Sequence, residues 1–132
     1  MAAQHKILLL DDDQDFLDLY KEMLANHLSC LPEVRTASSG SRALSLLESE
    51  SFTLMIVDLN MPYMSGHELV AALLADATLP SFPFVFLSGD GKRMDHAALL
   101  GASACLLKPV GKVQLLAAVA KALDPAAELA AA

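Results

Sequence analysis

The sequence has little of what several classes of protein require. It carries 9 Lys and Arg against 16 Asp and Glu, giving a formal net charge of −7, and it contains no run of basic residues. This balance argues against direct binding of nucleic acid or of an anionic membrane by the chain. No apolar stretch reaches the length of a transmembrane helix, and the N-terminal residues lack the apolar segment of a signal peptide. We therefore expect a soluble, cytoplasmic protein whose partners are other proteins.

The chain has too few cysteines and histidines, too widely spaced, to form a disulfide framework or a metal site built from these residues. The two cysteines, Cys30 and Cys105, are too few and too far apart for a disulfide framework or a metal knuckle, so both are predicted to be reduced. The 4 histidines have no spacing that would bring two of them to one metal ion. The length of 132 residues fits one domain with a single core, which we place at residues 1–125, followed by a C-terminal tail or linker stub at 126–132.

What the sequence does contain is a regular alternation of short apolar runs and longer amphipathic segments. The runs predict five strands, at residues 7–10, 34–37, 54–57, 84–87 and 104–107. Helices are predicted at 13–27 with Asp13 as the cap, after a cap at Ser38 or Ser39, from about Ser65, at 92–100 and at 112–123. Strands alternating with helices imply right-handed crossovers and a parallel sheet, which is an α/β fold.

Three of these helices have an apolar face at helical spacing that would cover the sheet. The residues expected to face inward are Phe16, Tyr20, Met23, Leu24 and Leu28 in the first helix, Ala43, Leu44 and Leu47 in the second, and Val113, Leu116, Ala120 and Leu123 in the last.

Polar residues stand at the carboxyl end of four of the five predicted strands. They are Asp11 and Asp12 after the first strand, Asp58 after the third, Ser88 after the fourth and Lys108 after the fifth. Parallel strands end along one edge of a sheet, where open α/β sheets place their ligands, so these side chains should converge in one cleft. Carboxylates hold a hard cation, while a hydroxyl and an ammonium meet phosphoryl oxygens. The pattern predicts a site that binds a metal ion and a phosphoryl group together.

These motifs resemble the receiver family of response regulators in two-component signalling. The resemblance covers about residues 5–123 and is carried by Asp11-Asp12-Asp13, Asp58 with Asn60, Pro62 and Gly66, Ser88-Gly89, and Lys108-Pro109. It implies a doubly wound, five-stranded parallel sheet of order 2-1-3-4-5 in a flavodoxin-like or CheY-like three-layer sandwich. It also implies a phosphorylatable aspartate and a divalent-metal site filled by Mg²⁺, with Mn²⁺ as an alternative.

The resemblance implies a role for each of the three acids and for Asn60. Asp58 would be the phosphoacceptor. Asp12 and Asp58 would bind the metal through their side chains, Asp11 would bind it through water, and Asn60 would bind it through its backbone carbonyl.

The resemblance also assigns the residues that would meet the phosphoryl group. Lys108 would pair with Asp58 or with the phosphoryl oxygens, and its bond to Pro109 would be cis. The Ser88 hydroxyl would donate a hydrogen bond to the phosphoryl group, for which Gly89 would leave room.

One position departs from the family pattern. Cys105 stands three residues before the strand-end lysine, where the family often has an aromatic residue whose rotation is coupled to the hydroxyl at the position of Ser88. We interpret Cys105 as a small apolar residue rather than a redox sensor, because nothing in the sequence would lower the pKa of its thiol. Two residues beyond Asp58 and Ser88, Asn60 and Asp90 are expected to tune water access and hence the lifetime of the phosphorylated form.

The resemblance implies a signalling receiver rather than an enzyme acting on small substrates. It would take a phosphoryl group from a histidine kinase or a histidine phosphotransfer protein, catalyse its own phosphorylation and slow dephosphorylation, and act on a downstream protein or on an effector domain not contained in this sequence. The last predicted helix lacks the alternating charges of one dimer type in the family, so we expect a monomer or a weak dimer.

Two other functions are compatible with the fold. A phosphorylation-independent interaction scaffold would be receiver-like, but such degenerate receivers typically lose an acid or the lysine, and none is lost here. An aspartate-nucleophile phosphatase usually has a second acid two residues after the nucleophile, where this chain has Asn60.

Overall fold

The structure is a computed structural model that describes residues 5–61, 69, 82–89 and 102–123. The described strands are β1 (Lys6–Leu10), β2 (Glu33–Ala37), β3 (Leu54–Asp58), β4 (Phe84–Ser88) and β5 (Ala104–Leu107). The described helices are α1 (Gln14–His27), α2 (Gly40–Ser49) and α3 (Lys112–Leu123), the last of which is the fifth helix of the sequence prediction. The helices predicted from Ser65 and at 92–100 lie outside the described residues, as does the tail at 126–132.

The five strands form one parallel sheet in the order β2-β1-β3-β4-β5. This confirms the parallel α/β sheet that the alternation of strands and helices predicts, and the doubly wound order 2-1-3-4-5 that the resemblance implies. The register of neighbouring strands aligns their carboxyl ends, with Leu10 level with Val57, Asp58 with Leu87, and Ser88 with Leu107. The residues at and just beyond these ends therefore lie side by side along one edge of the sheet.

Side chains from the two faces of the sheet enter two separate cores. Leu8 and Leu10 of β1 point to the face covered by α2, whereas Ile7 and Leu9 point to the face covered by α1 and α3. All five residues of β3 are buried, as are all five of β4, which is the pattern of central strands covered on both faces. Within the described residues, no helix is long and apolar enough to cross a membrane.

The inward faces of the helices agree only in part with the sequence prediction. In α1, Leu17 is buried, while Phe16 and Met23 are only half-buried. In α2, Leu46 is buried and Leu44 and Leu47 pack more loosely against the core. The prediction for Val113 is wrong, because this side chain is 81% exposed and the buried residues of α3 are Leu115 and Val119. So many residues of α3 are apolar that its sequence does not define one stripe.

Two side chains cap the first two helices. Asp13 accepts hydrogen bonds from the backbone N–H groups of Asp15 and Phe16, at 3.0 and 3.3 Å, as its position before α1 predicted. Of the two candidates before α2, Ser39 is the cap, since its hydroxyl accepts from the N–H of Arg42 at 3.2 Å. The first of these caps fixes the start of α1 next to the carboxyl end of β1.

An ion-pair cluster centred on Glu50 lies toward the amino ends of β1 and β2, away from the carboxyl ends of the strands. The Glu50 carboxylate pairs with the ammonium of Lys6 and accepts a hydrogen bond from Nε of Arg35 at 3.1 Å. The hydrogen bond from Lys6 outweighs the opposing effect of burial, so the pKa of Glu50 lies below its ordinary value of 4.5. Such a group stabilises the fold above the pKa of the unfolded chain and loses that contribution as the pH falls through its folded value.

Replacing Glu50 with glutamine is therefore expected to lower stability at neutral pH, and the difference from the wild type should shrink as the pH falls below 4.5. Denaturant titrations across the acid range measure this difference. Glu48→Gln is the matched control, because Glu48 is an exposed acid of α2 that forms no ion pair within the described part of the chain. A difference for Glu50→Gln that stays constant with pH would contradict the assignment.

Candidate functional site

The site is built at the aligned carboxyl ends of four strands. Asp11 directly follows β1, Asp58 ends β3, Ser88 ends β4 and Lys108 directly follows β5. Backbone hydrogen bonds continue just past the strand ends, and one of them joins the Lys108 N–H to the Ser88 carbonyl at 2.7 Å. The backbone of the sheet therefore sets the spacing of these residues, independently of the contacts between their side chains.

Three carboxylates cluster at this edge of the sheet. Oxygens of Asp11, Asp12 and Asp58 all lie within 4.8 Å of one another. Asp11 and Asp58 are buried, with 0% and 1% of their surface exposed, and Asp12 is exposed. At an effective dielectric near 20, two like charges ~4 Å apart repel by roughly 4 kcal/mol. The cluster therefore requires positive charge close by.

Lys108 supplies one positive charge and bridges two of the acids. Its Nζ donates to Oδ2 of Asp11 at 2.7 Å and lies 3.4 Å from Oδ2 of Asp58. The sequence led us to expect a pairing with Asp58 or with the phosphoryl oxygens, so Asp11 as the closer partner is a finding of the structure. Among the residues that the structure describes, three carboxylates and one ammonium leave two negative charges at the cleft. Oxygen ligands with excess negative charge are the donor set that a hard divalent cation prefers.

Burial and pairing shift the pKa values of both members of this contact. Burial lowers the pKa of Lys108, but its hydrogen bond to Asp11 and the charge of Asp58 outweigh that effect, so its pKa lies above the ordinary value. Burial also raises the pKa of Asp11. The hydrogen bonds that Asp11 accepts from Lys108 and from the N–H of Asp13 offset this only in part. Lys108 is therefore firmly cationic at neutral pH.

Asn60 connects Asp58 with Ser88. Its backbone N–H donates to Oδ1 of Asp58 at 3.0 Å, and its side-chain amide donates to Oγ of Ser88 at 3.4 Å. Oδ1 of Asp58 is thus held by a backbone amide, while Oδ2 faces the ammonium. A Cβ added at Gly89 would meet only the Asn60 amide, at 3.7 Å, which is an ordinary contact, so the described neighbours do not themselves require glycine there.

Cys105 and the bond between Lys108 and Pro109 are also described by the structure. Cys105 lies in β5, half-buried against the core, and burial raises the pKa of its thiol, which agrees with its interpretation as a small apolar residue. The peptide bond between Lys108 and Pro109 is cis. Asp90 lies outside the described residues, as do Pro62 and Gly66.

Two aromatic residues of α1 that the sequence indicated only as core also reach the site. The Phe16 ring lies under the ammonium of Lys108, and the Tyr20 hydroxyl bonds to the backbone just after that lysine. The only sequence signal for this role is a pair of aromatic residues four apart, directly after the acidic motif.

A family model, related sequences and a solved structure all match this chain to response regulators. The family model described as the response regulator receiver domain matches residues 7–120. Chemotaxis protein CheY of Pseudomonas aeruginosa is 31% identical over 106 residues, which cover 79% of this chain and 84% of that protein. Response regulator protein FleR of the same organism is 34% identical over 125 residues, which cover 92% of this chain but 24% of FleR. The solved structure of CheY4 from Vibrio cholerae superposes with a TM-score of 0.81 at 28% identity, covering 92% of this chain and all of that one.

Proposed function

Because the chain belongs to the response regulator receiver domain family of two-component signalling, we propose that its signalling state switches when Asp58 accepts a phosphoryl group. The donor is a histidine kinase or a histidine phosphotransfer protein in the cytoplasm. The output is a changed protein-binding face, read by a downstream protein or by an effector domain. The receiver acts as a monomer or a weak dimer.

The observation that carries this proposal is that the carboxylate oxygens of the two buried acids, Asp11 and Asp58, accept different hydrogen bonds. Asp11 has both oxygens in short hydrogen bonds, one from the N–H of Asp13 at 3.0 Å and one from Lys108 at 2.7 Å. Asp58 has Oδ1 held by the Asn60 amide at 3.0 Å, whereas its Oδ2 is 3.4 Å from Lys108. Asp58 therefore keeps the more available nucleophilic oxygen, and it stands in β3 next to the strand that carries the hydroxyl of Ser88.

The donor set of the cleft fits a magnesium ion, with Mn²⁺ as the alternative. Asp12 and Asp58 would hold the ion through their side chains, Asp11 would do so through water, and Asn60 would use its backbone carbonyl. Two negative charges left after pairing with Lys108 support this fit. The bound ion supplies charge neutralisation for the carboxylates and for the incoming phosphoryl oxygens.

The chain's own residues perform the transfer by positioning. A carboxylate oxygen of Asp58 forms a bond to phosphorus as the bond from phosphorus to the donor's histidine nitrogen breaks, and that nitrogen keeps the electron pair. The Lys108 ammonium then pairs with a phosphoryl oxygen, and the Ser88 hydroxyl donates a hydrogen bond to another. Hydrolysis later restores the carboxylate, at a rate that Asn60 and Asp90 tune through the access of water.

The switch differs from the family pattern at one point. Ser88 moves toward the phosphoryl group, but Cys105 offers no aromatic ring whose rotation could follow that movement. Phosphorylation must therefore change the protein-binding face by moving the ends of the strands and the segments that follow them.

Intact-mass spectrometry after incubation with acetyl phosphate tests the proposal. We expect one phosphoryl group per chain when magnesium is present and none after chelation, with beryllofluoride binding showing the same dependence. Asp18→Asn, which changes an exposed acid of α1, should be phosphorylated like the wild type. A wild-type protein that binds magnesium but forms no adduct with any donor would refute the proposal and favour the phosphorylation-independent scaffold.

A further inference from the structure

Resting on the proposed function, we propose that Phe16 and Tyr20 of α1 act as positioning residues that hold Lys108 in place for phosphoryl transfer. The two residues are four apart and share one face of the helix. Their rings touch at an angle of 50°. We call them the aromatic pair.

Phe16 contacts the charged end of the lysine. The Nζ of Lys108 lies 4.4 Å from the centroid of the Phe16 ring, within the range of a cation–π contact. The same nitrogen is held by Asp11 at 2.7 Å and lies 3.4 Å from Asp58. The ring attracts the cation through its negative face but takes up no strong hydrogen bond. It therefore fixes the ammonium without competing for the protons that the phosphoryl oxygens need.

Tyr20 holds the backbone that carries the lysine. Its hydroxyl, buried with 4% of the residue exposed, donates to the carbonyl of Val110 at 2.9 Å. Val110 is two residues beyond Lys108, on the far side of Pro109. Since the Tyr20 ring also packs against Phe16, one face of α1 contacts both the ammonium of Lys108 and the backbone two residues beyond it.

This support matters because a lysine side chain is long and flexible. Its four-carbon stem has many rotamers, and a charge contributes to transfer only when it is already in place. Asp11, whose oxygen is 2.7 Å from the ammonium, would by itself draw it away from Asp58, whose oxygen is 3.4 Å away. The ring provides a contact that persists when the ammonium exchanges a carboxylate oxygen for a phosphoryl oxygen.

The test compares variants that keep or remove the aromatic face. Phe16→Leu is expected to slow phosphorylation by acetyl phosphate, at saturating magnesium, by about three- to tenfold, whereas Phe16→Tyr should stay within about twofold of the wild type. Tyr20→Phe keeps the ring but loses the bond to Val110, and should give an intermediate rate. Thermal melts of each variant report its stability in parallel.

Phe52→Leu is the matched control. The Phe52 ring lies 5.4 Å from the ammonium of Lys6, and it is buried near the amino ends of the strands, away from the site. This variant removes a comparable contact and is expected to lower thermal stability while leaving the phosphorylation rate unchanged. A rate that merely follows stability across all the variants would contradict the positioning role.

NMR gives a second readout that does not depend on phosphorylation. Ring current from Phe16 should shift the signals of the Lys108 CH₂ group next to Nζ, and Phe16→Leu should abolish that shift while Phe16→Tyr retains it. A folded Phe16→Leu protein with wild-type rate and unchanged shifts would overturn the proposal, as would Phe16→Tyr reacting as slowly as Phe16→Leu. Failure of the wild type to be phosphorylated would refute the proposed function and any role in transfer, and the shifts would then report a structural contact only.

Discussion

Replacing Lys108 with methionine is expected to lower the free energy of unfolding by about 3–5 kcal/mol at neutral pH in the absence of added metal. The reason is the burial of its partners, since Asp11 and Asp58 are 0% and 1% exposed, and within the described part of the chain Lys108 is the cation that contacts both. Methionine fills a similar volume, so the loss reports charge rather than packing. Urea denaturation with magnesium chelated measures it.

The pH dependence of this variant separates the electrostatic cause from a packing defect. Burial already raises the pKa of Asp11, and the hydrogen bond from Lys108 is the largest influence that lowers it. Without Lys108 the folded state takes up protons at higher pH than the wild type, so the stability deficit of Lys108→Met should narrow as the solution is made acidic. Lys112→Met, at an exposed position of α3, should change stability by no more than about 0.5 kcal/mol at any pH. A Lys108→Met deficit that is independent of pH would contradict this explanation.

Asp58→Asn is expected to have the opposite effect on stability and to abolish phosphorylation. Asparagine keeps the acceptor for the Asn60 amide but removes a buried charge that faces two other carboxylates and one ammonium. Two repulsions outweigh one attraction of similar range, so we expect the metal-free protein to become more stable by about 1–3 kcal/mol.

Magnesium should narrow this difference and, at concentrations far enough above Kd, reverse it. The wild type should gain about 2.7 kcal/mol at a magnesium concentration of 100 Kd, whereas Asp58→Asn, with one ligand fewer, should gain much less at the same concentration. Thermal melts across a magnesium titration measure both quantities, with Asp18→Asn as the exposed acid-to-amide control. A metal-free Asp58→Asn protein less stable than the wild type would mean that the pairing with Lys108 outweighs repulsion within the cluster.

The strand ends explain why so much of the site was predictable from sequence. Four of the five predicted strands end at a polar site residue, and a parallel sheet brings the ends of its strands together, so the convergence of Asp11, Asp58, Ser88 and Lys108 follows from topology. The matching register of β1, β3, β4 and β5 confirms that step. The individual roles of these residues in phosphoryl transfer stay predictions.

What the sequence did not predict depends on side-chain packing. The preference of Lys108 for Asp11 over Asp58 is a matter of tenths of an ångström in side-chain reach, which spacing does not encode. The sequence predicts Phe16 as a core residue, whereas the structure places it half-buried beside the ammonium of Lys108. An apolar stripe in the sequence does not distinguish a residue of the core from one that contacts an ammonium. Spacing alone does not show that Val113 faces outward, because α3 is apolar on most of its surface.

The measurement that bears most directly on the central claim is chemical mapping of the phosphorylated residue. Borohydride reduces an aspartyl phosphate to homoserine, and peptide mass spectrometry then locates it. After incubation with acetyl phosphate and magnesium, we expect homoserine at position 58 and at no other aspartate. Homoserine at Asp11 or Asp12, or a phosphorylated protein that yields no homoserine because a hydroxyl such as that of Ser88 carries the group, would contradict the assignment of Asp58 as the phosphoacceptor.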